Sequence, residues 1–184
     1  QLIELSGAYY DKDKFNIDEM MDLQVDYFSV PSEQIIKFAK GKISNNLDYF
    51  KILEDWNNVL DKNSIAAGIY IEWQTQIHLE FINRFVPKSV RNYLDIQMFK
   101  IIDNLSKMND NDRVRFLQNT FNYSINNLKE KYGENSENWV YGQSDYKHVK
   151  INHPLENVVN DSIKKIVELK SYPRGGDGYT PGSV

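Results

Sequence analysis

The feature that most constrains the fold is one long segment of regularly spaced apolar residues between positions 64 and 85. Its large apolar side chains recur every four positions, with a tyrosine beside them: Ile65, Ile69, Tyr70, Trp73, Ile77 and Phe81. This spacing predicts a helix from Ser64 to Phe85. The small residues at 66–68 indicate a helix that packs closely on more than one side. Asp61 or Asn63 is expected to cap its start, and Pro87 to end it.

Five shorter helices are predicted around this segment. The same kind of spacing places them from Asn16 until Pro31, and over residues 32–38, 45–56, 90–105 and 112–132. Asn16 and Glu19 have the spacing of a capping box. Asp110 is expected to cap the last of these helices, and Gly133 to follow its end. Residues 1–138 are therefore predicted to form a helical lobe of about six helices. Within this lobe, residues 1–15 contain the end of another helix and a polar loop, and the six helices follow.

The pattern changes in the tail, residues 139–184. Val149 and Ile151 alternate with polar residues, which predicts a short strand that Pro154 stops or places at a sheet edge. Residues 155–169 predict one more helix. A glycine-rich loop, residues 174–180, follows. The fold class is thus mainly α, with a small amount of strand at the C-terminal end.

Charge and composition exclude several classes of function. The 22 Lys and Arg residues stand against 26 Asp and Glu residues, so the net charge of −4 argues against binding to nucleic acid or an anionic membrane. The absence of cysteine excludes disulfides, thiolate nucleophiles and zinc–thiolate sites. No apolar run approaches the roughly 20 residues that span a bilayer.

Several motifs of the chain resemble the β-subunits of the penicillin acylase (penicillin amidase) family, near their C-terminal end. In the tail they are Trp139-Val-Tyr-Gly-Gln143, His148, His153-Pro-Leu155 and Pro173-Arg-Gly-Gly-Asp-Gly-Tyr-Thr180. Upstream they are Glu54-Asp-Trp-Asn57, Asp61-Lys-Asn-Ser-Ile-Ala-Ala67, Tyr70 and Trp73. The order and spacing of these motifs carry the resemblance, which extends from about Ile17 to Thr180.

The resemblance implies a part of an N-terminal-nucleophile hydrolase. Residues 1–138 would form a helical lobe of the β-subunit, and the tail would return to an αββα core. The parent enzyme would hydrolyse N-acyl amides such as penicillins, N-acyl-homoserine lactones or other acylated amines without a cofactor, and no metal site is expected among the residues of this chain. Its partners would be the rest of the same precursor, namely the α-subunit and the N-terminal part of the β-subunit. Many relatives are exported, which implies a periplasmic or extracellular parent.

The family's catalytic groups have no matching positions in this chain. The resemblance implies an N-terminal serine nucleophile and an oxyanion hole that lie upstream. The start at Gln1 suggests a processed or excised piece. Loss of a nucleophile costs on the order of 10⁶ in turnover, so the isolated chain is expected to be inactive.

Two residues of the glycine-rich loop are the candidate site residues. Asp177 and Tyr179 would lie on the substrate side of the family's core or support residues there. The loop lacks the sequence of a phosphate-binding loop, so its glycines are interpreted as allowing close approach to another backbone. His78, His148 and His153 are interpreted as structural.

Two weaker patterns have structural explanations. Ser144 with Lys147, and Ser162 with Lys165, match the Ser-x-x-Lys spacing, but no Lys-Thr-Gly follows. The carboxylates at Glu54, Asp55, Asp61, Glu72 and Glu80 are interpreted as helix caps or a solvated face. The alternative function is a non-catalytic helical module that binds a partner protein. Such a module would have no need for the tail to join another sheet.

Overall fold

The computed structural model describes residues 16–143, 148–149, 154, 158–167 and 172–181. The α-helices are Ile17–Gln24 (α1), Val30–Ala39 (α2), Leu47–Glu54 (α3), Ile65–Phe85 (α4), Met98–Lys107 (α5), Asp110–Tyr132 (α6) and Asp161–Val167 (α7). Within these described residues, two 3₁₀ helices span Lys88–Tyr93 and Ser136–Asn138, and two short strands span His148–Val149 (β1) and Tyr172–Pro173 (β2). The prediction of a mainly helical chain is confirmed. The helix end predicted within residues 1–15 lies outside the described residues.

Helix α4 is the centre of the fold and packs mainly against α6. At this contact Trp73 of α4 is fully buried and meets Phe50 of α3 and Phe121 of α6 edge-on, with ring centroids 6.0 and 5.0 Å away. The Trp73 indole N–H donates to Thr120 Oγ1 at 3.0 Å, which satisfies its polar edge within the core. The predicted apolar stripe of α4 therefore lies in the core, where α3 and α5 also contact α4 and where α2 packs against α5 and α6.

Several helix starts differ from the prediction by a few residues. The capping box of Asn16 and Glu19 is present as predicted. The cap of α4 is Ser64 itself, whose side chain accepts from Ala67 N at 3.1 Å, so neither Asp61 nor Asn63 has that role. Asn109 rather than Asp110 caps α6. The observed caps Ser64 and Asn109 are next to Asn63 and Asp110, and each belongs to a residue type that favours this position.

One proline and one arginine account for two further differences from the predicted helices. Pro31 does not close the preceding segment but lies in the first turn of α2, where its missing N–H is tolerated. The helix predicted over 90–105 is wrong at its start: Lys88–Tyr93 is a 3₁₀ helix, and α5 begins only at Met98. There the Arg91 guanidinium donates to the carbonyls of Asn83 and Val86 at 2.8 and 2.9 Å and so satisfies the C-terminal end of α4.

One carboxylate that the sequence pattern assigned to a cap or a solvated face is buried. Glu72 is 4% exposed between α4 and α6. Its Oε1 accepts from Gln76 Nε2 and Asn127 Nδ2, each at 3.0 Å, and Lys131 Nζ lies 3.6 Å from Oε2. Buried charges are retained where hydrogen bonds and a counter-charge satisfy them, and Glu72 has both.

The beginning of the tail packs directly onto the first turn of α4. Trp139 is fully buried, and its indole N–H donates to Gly133 O at 3.0 Å. Tyr141 N donates to Ser64 O at 3.0 Å. This approach needs Gly68, because a Cβ atom at that position would lie 1.8 Å from Trp139 O. Close packing of α4, predicted from its small residues, is thus provided by the tail backbone.

The tail strands pair with each other. β1 and β2 are antiparallel, with His148 opposite Pro173 and Val149 opposite Tyr172. The strand predicted around Val149 is confirmed there, while Ile151 lies outside the described residues. The helix predicted over 155–169 is present as α7 from Asp161, and residues 158–160 precede it. The division of the chain after residue 138, and the contact of the tail with an αββα core, stay predictions.

In the part of the chain that the structure covers, no helix combines the length and apolar character that a membrane span requires.

Candidate functional site

The glycine-rich loop passes through a narrow gap beside the start of α4. Gly176 N donates to Leu60 O at 2.9 Å, and the Tyr141 hydroxyl donates to Gly176 O. A Cβ atom at Gly175 would lie 2.6 Å from Leu60 O and 2.5 Å from the Tyr27 ring. Gly176 also has a φ of +76°, which other residues rarely adopt. The glycines therefore allow the close approach to another backbone that their sequence pattern predicts.

Asp177 folds this loop into a turn. Its side chain is largely buried, and its Oδ1 accepts from Tyr179 N at 2.9 Å. Its backbone N–H donates to Thr180 Oγ1 at 3.0 Å, and Thr180 N donates back to Asp177 O at 3.2 Å. Gln74 Nε2 lies 3.5 Å from Oδ2, which is a long contact. The carboxylate is thus anchored to the loop's own backbone, as turn aspartates commonly are.

Two buried phenols lie near this carboxylate. Burial is the main cause that raises the pKa of Tyr70 and of Tyr141 above the usual range, and the negative charge of Asp177 raises both further. Both hydroxyls therefore stay protonated at neutral pH. Tyr141 acts as the donor that holds Gly176 O, and neither phenol is suited to accept a proton as a catalytic base.

Tyr179 connects the loop to the start of α5. Met98 N donates to the Tyr179 hydroxyl oxygen at 3.0 Å, and the Tyr179 ring packs edge-on against Phe99 at 5.9 Å. Gln97, the residue before α5, makes no capping bond with its side chain. Tyr179 thus takes the place of a local cap. Sequence reasoning missed this role, because the tyrosine is far from Met98 in the chain.

Replacing Tyr179 with phenylalanine should therefore lower the free energy of unfolding by about 1–2 kcal/mol, because the first amide of α5 loses its acceptor at a buried residue. Urea denaturation monitored by circular dichroism measures this change. Tyr93→Phe is the matched control, since Tyr93 is 85% exposed and its replacement should change stability by less than about 0.5 kcal/mol. Equal stability of the Tyr179→Phe and wild-type chains would contradict the capping role.

A surface pocket of about 280 Å³ opens beside Tyr179. It is lined by Gln74, Thr75, His78, Leu79, Met98 and Tyr179. His78 Nε2 lies 2.9 Å from Ile96 O, and a carbonyl can only accept, so this nitrogen carries the hydrogen. The ring thus ties α4 to the segment before α5, which agrees with its structural interpretation. Leu79 and Met98 give the pocket apolar walls next to the Tyr179 hydroxyl.

The other candidate residues do not assemble into a catalytic group within the described residues. His78 bonds to the carbonyl of Ile96 rather than to a serine or threonine hydroxyl, and among the described residues no three His, Asp or Glu side chains are grouped to hold a metal ion. Ser162 lies exposed in the first turn of α7, whereas Ser144, Lys147 and His153 lie outside the described residues. His148 lies in β1, opposite Pro173.

Comparison with known proteins places these observations in a family. A sequence model of the family described as penicillin amidase matches residues 2–184, which includes both the helical lobe and the glycine-rich loop. No curated protein matches the chain.

Proposed function

The chain belongs to the penicillin amidase family, a family of amidohydrolases, and from this membership we propose that it forms the helical lobe of an enzyme that hydrolyses N-acyl amides. The observation that carries the proposal is the family match over residues 2–184. The nucleophile would be an N-terminal serine that these residues do not supply, with its own α-amino group as the base. Penicillins, N-acyl-homoserine lactones and other acylated amines are the substrate classes.

The chemistry of the described residues supports a role in packing and substrate contact rather than in bond cleavage. Asp177 is bonded to the backbone of its own turn, and the nearby phenols of Tyr70 and Tyr141 have raised pKa values. A residue that activates a nucleophile needs a free proton acceptor within reach of it. We therefore propose that the isolated chain is inactive and that the rest of the same precursor supplies the catalytic groups.

The pocket beside Tyr179 is the proposed point of contact with substrate. Its walls combine apolar surface from Leu79 and Met98 with a few polar side chains, among them the Tyr179 hydroxyl, a combination typical of sites that hold an apolar group in one orientation. In this proposal Tyr179 contacts part of the substrate, while Asp177 fixes the turn that presents it. The capping bond from Met98 holds the tyrosine in place.

Release of primary amine tests the proposal. The isolated chain, the complete translation product of its gene and that product with its proposed N-terminal serine replaced by alanine are each incubated with a penicillin and with an N-acyl-homoserine lactone. An amine-reactive fluorophore detects the product. We expect amine only from the unmodified complete product, at a rate at least about 10⁴-fold above the serine variant.

Two results would overturn the proposal. Amine release by the isolated chain at the rate of the complete product would show that these residues carry the reaction. Failure of the complete product to cleave any acyl amide of a wider panel would exclude amide hydrolysis.

A further inference from the structure

A second surface pocket lies where the end of β2 passes the turn before α4. Its volume is about 390 Å³, within the range of small-molecule sites. The residues that line it are Tyr27, Asp61, Lys62, Pro173, Arg174 and Gly175. Lys62 and Arg174 thus come from distant parts of the chain and converge on one concave surface.

The positive charges of Lys62 and Arg174 are not paired with neighbouring side chains among the described residues. In the part of the chain that the structure describes, the side chains of Lys62 and Arg174 have neither an ion pair nor a hydrogen bond. The pocket contains one carboxylate, Asp61, and its Oδ1 already accepts from Asn63 N at 2.7 Å. The lining therefore carries two positive charges against one negative charge. The exposed cations of the helical lobe differ, since many of them pair with a carboxylate on the same helix.

The backbone that carries the two cations is held in place around the pocket. Gly142 N donates to Lys62 O at 2.6 Å, and Asp61 O accepts from Ser64 N at 3.0 Å, so the turn that carries Lys62 is held at both ends. Arg174 stands between β2 and the tightly packed Gly175. A site whose backbone is already fixed loses less conformational entropy when a ligand binds.

From this arrangement we propose that the pocket binds the carboxylate of a small molecule with an apolar body. The planar guanidinium of Arg174 matches the two oxygens of a carboxylate, and the Lys62 ammonium adds a second charge. Tyr27 and Pro173 supply apolar surface for the rest of the molecule. Binding of this kind does not require amide hydrolysis, so its test is independent of the amine-release assay.

Titration of the chain with benzoate tests the proposal, with benzamide as the uncharged molecule of the same shape. We expect benzoate to bind in the millimolar range and benzamide to bind at least about tenfold more weakly. Arg174→Gln and Lys62→Gln should each weaken benzoate binding, by about tenfold for the arginine. Lys88→Gln is the matched control, because Lys88 is an exposed cation elsewhere on the surface, and it should leave binding unchanged.

One variant is expected to strengthen binding. Asp61→Asn removes the negative charge from the pocket and keeps an oxygen for the bond from Asn63, so benzoate should bind about threefold more tightly. Disruption of the turn that carries Asp61 would not increase the affinity for benzoate. Circular dichroism spectra confirm that each variant is folded.

Three results would overturn the proposal. Equal affinity for benzoate and benzamide would exclude recognition of charge. Unchanged benzoate binding in the Arg174→Gln chain would exclude this pocket. A higher affinity for inorganic phosphate than for benzoate, measured by displacement of bound benzoate, would exclude a site for carboxylates with an apolar body.

Discussion

Replacing Gly68 with alanine is expected to lower the free energy of unfolding by about 3 kcal/mol, although alanine is the better helix former. Helix propensity alone favours the alanine by about 1 kcal/mol. The added Cβ atom, however, would lie 1.8 Å from Trp139 O, 3.0 Å from Trp139 C and 3.3 Å from Tyr141 N. These are backbone atoms that cannot rotate away. Overpacking of buried sites costs about 1–3 kcal/mol or more, and here it also displaces a fully buried tryptophan.

Urea denaturation followed by tryptophan fluorescence and by circular dichroism measures this loss. Gly178→Ala provides the matched control, because a Cβ atom there meets nothing within 4 Å and the residue is exposed. It should change stability by less than about 0.5 kcal/mol. If Gly68→Ala were instead as stable as the wild type, the close approach of the tail to α4 would be refuted.

Replacing Trp73 with alanine should lower the free energy of unfolding by about 3–5 kcal/mol, the largest loss expected from truncating one side chain of this domain. The indole is fully buried where α3, α4 and α6 meet, and its N–H is bonded to Thr120. Truncation leaves a cavity among Phe50, Phe121 and their neighbours and removes the hydrogen bond as well. On a domain with a typical stability of 5–15 kcal/mol, this change unfolds a large fraction of the molecules on warming.

The conservative change Trp73→Phe separates the two contributions. Phenylalanine keeps most of the ring surface, so the free energy of unfolding should fall by only about 1–2 kcal/mol. Thr120 loses its indole partner but can still donate to the carbonyls of Phe116 and Leu117. Tyr123→Ala is the matched control on α6, because Tyr123 is 64% exposed. In thermal and urea unfolding, the loss of stability should be largest for Trp73→Ala, smaller for Trp73→Phe and smallest for Tyr123→Ala. A Trp73→Ala chain as stable as the Tyr123→Ala chain would contradict the packing described.

The helices could be predicted because their signals are local. Apolar spacing along α4 and α6 and the capping box at Asn16 depend only on residues within a few positions of each other. The same local rules failed over residues 90–97. There the Arg91 side chain bonds to the end of α4, and the first amide of α5 bonds to Tyr179. Both bonds depend on tertiary contacts that spacing cannot reveal.

The candidate site was predictable only in outline. The glycine cluster indicated a close backbone approach, and the structure shows Leu60 as the partner. The sequence did not indicate that Tyr179 caps a helix or that Glu72 is buried, because each role is set by a residue distant along the chain. Ser64 was a missed local signal, since a serine directly before an apolar run is itself a typical helix cap.

The order in which the chain is synthesised gives the loop of residues 174–180 a further consequence. Its bonds to Leu60 and Met98 link positions separated by long stretches of chain, and contacts of such separation form late and slow the folding of a domain. On the ribosome, the start of α5 has no acceptor from Tyr179 until that residue has emerged. The helices can pack first, and arrival of the glycine-rich loop is then the step that completes the lobe.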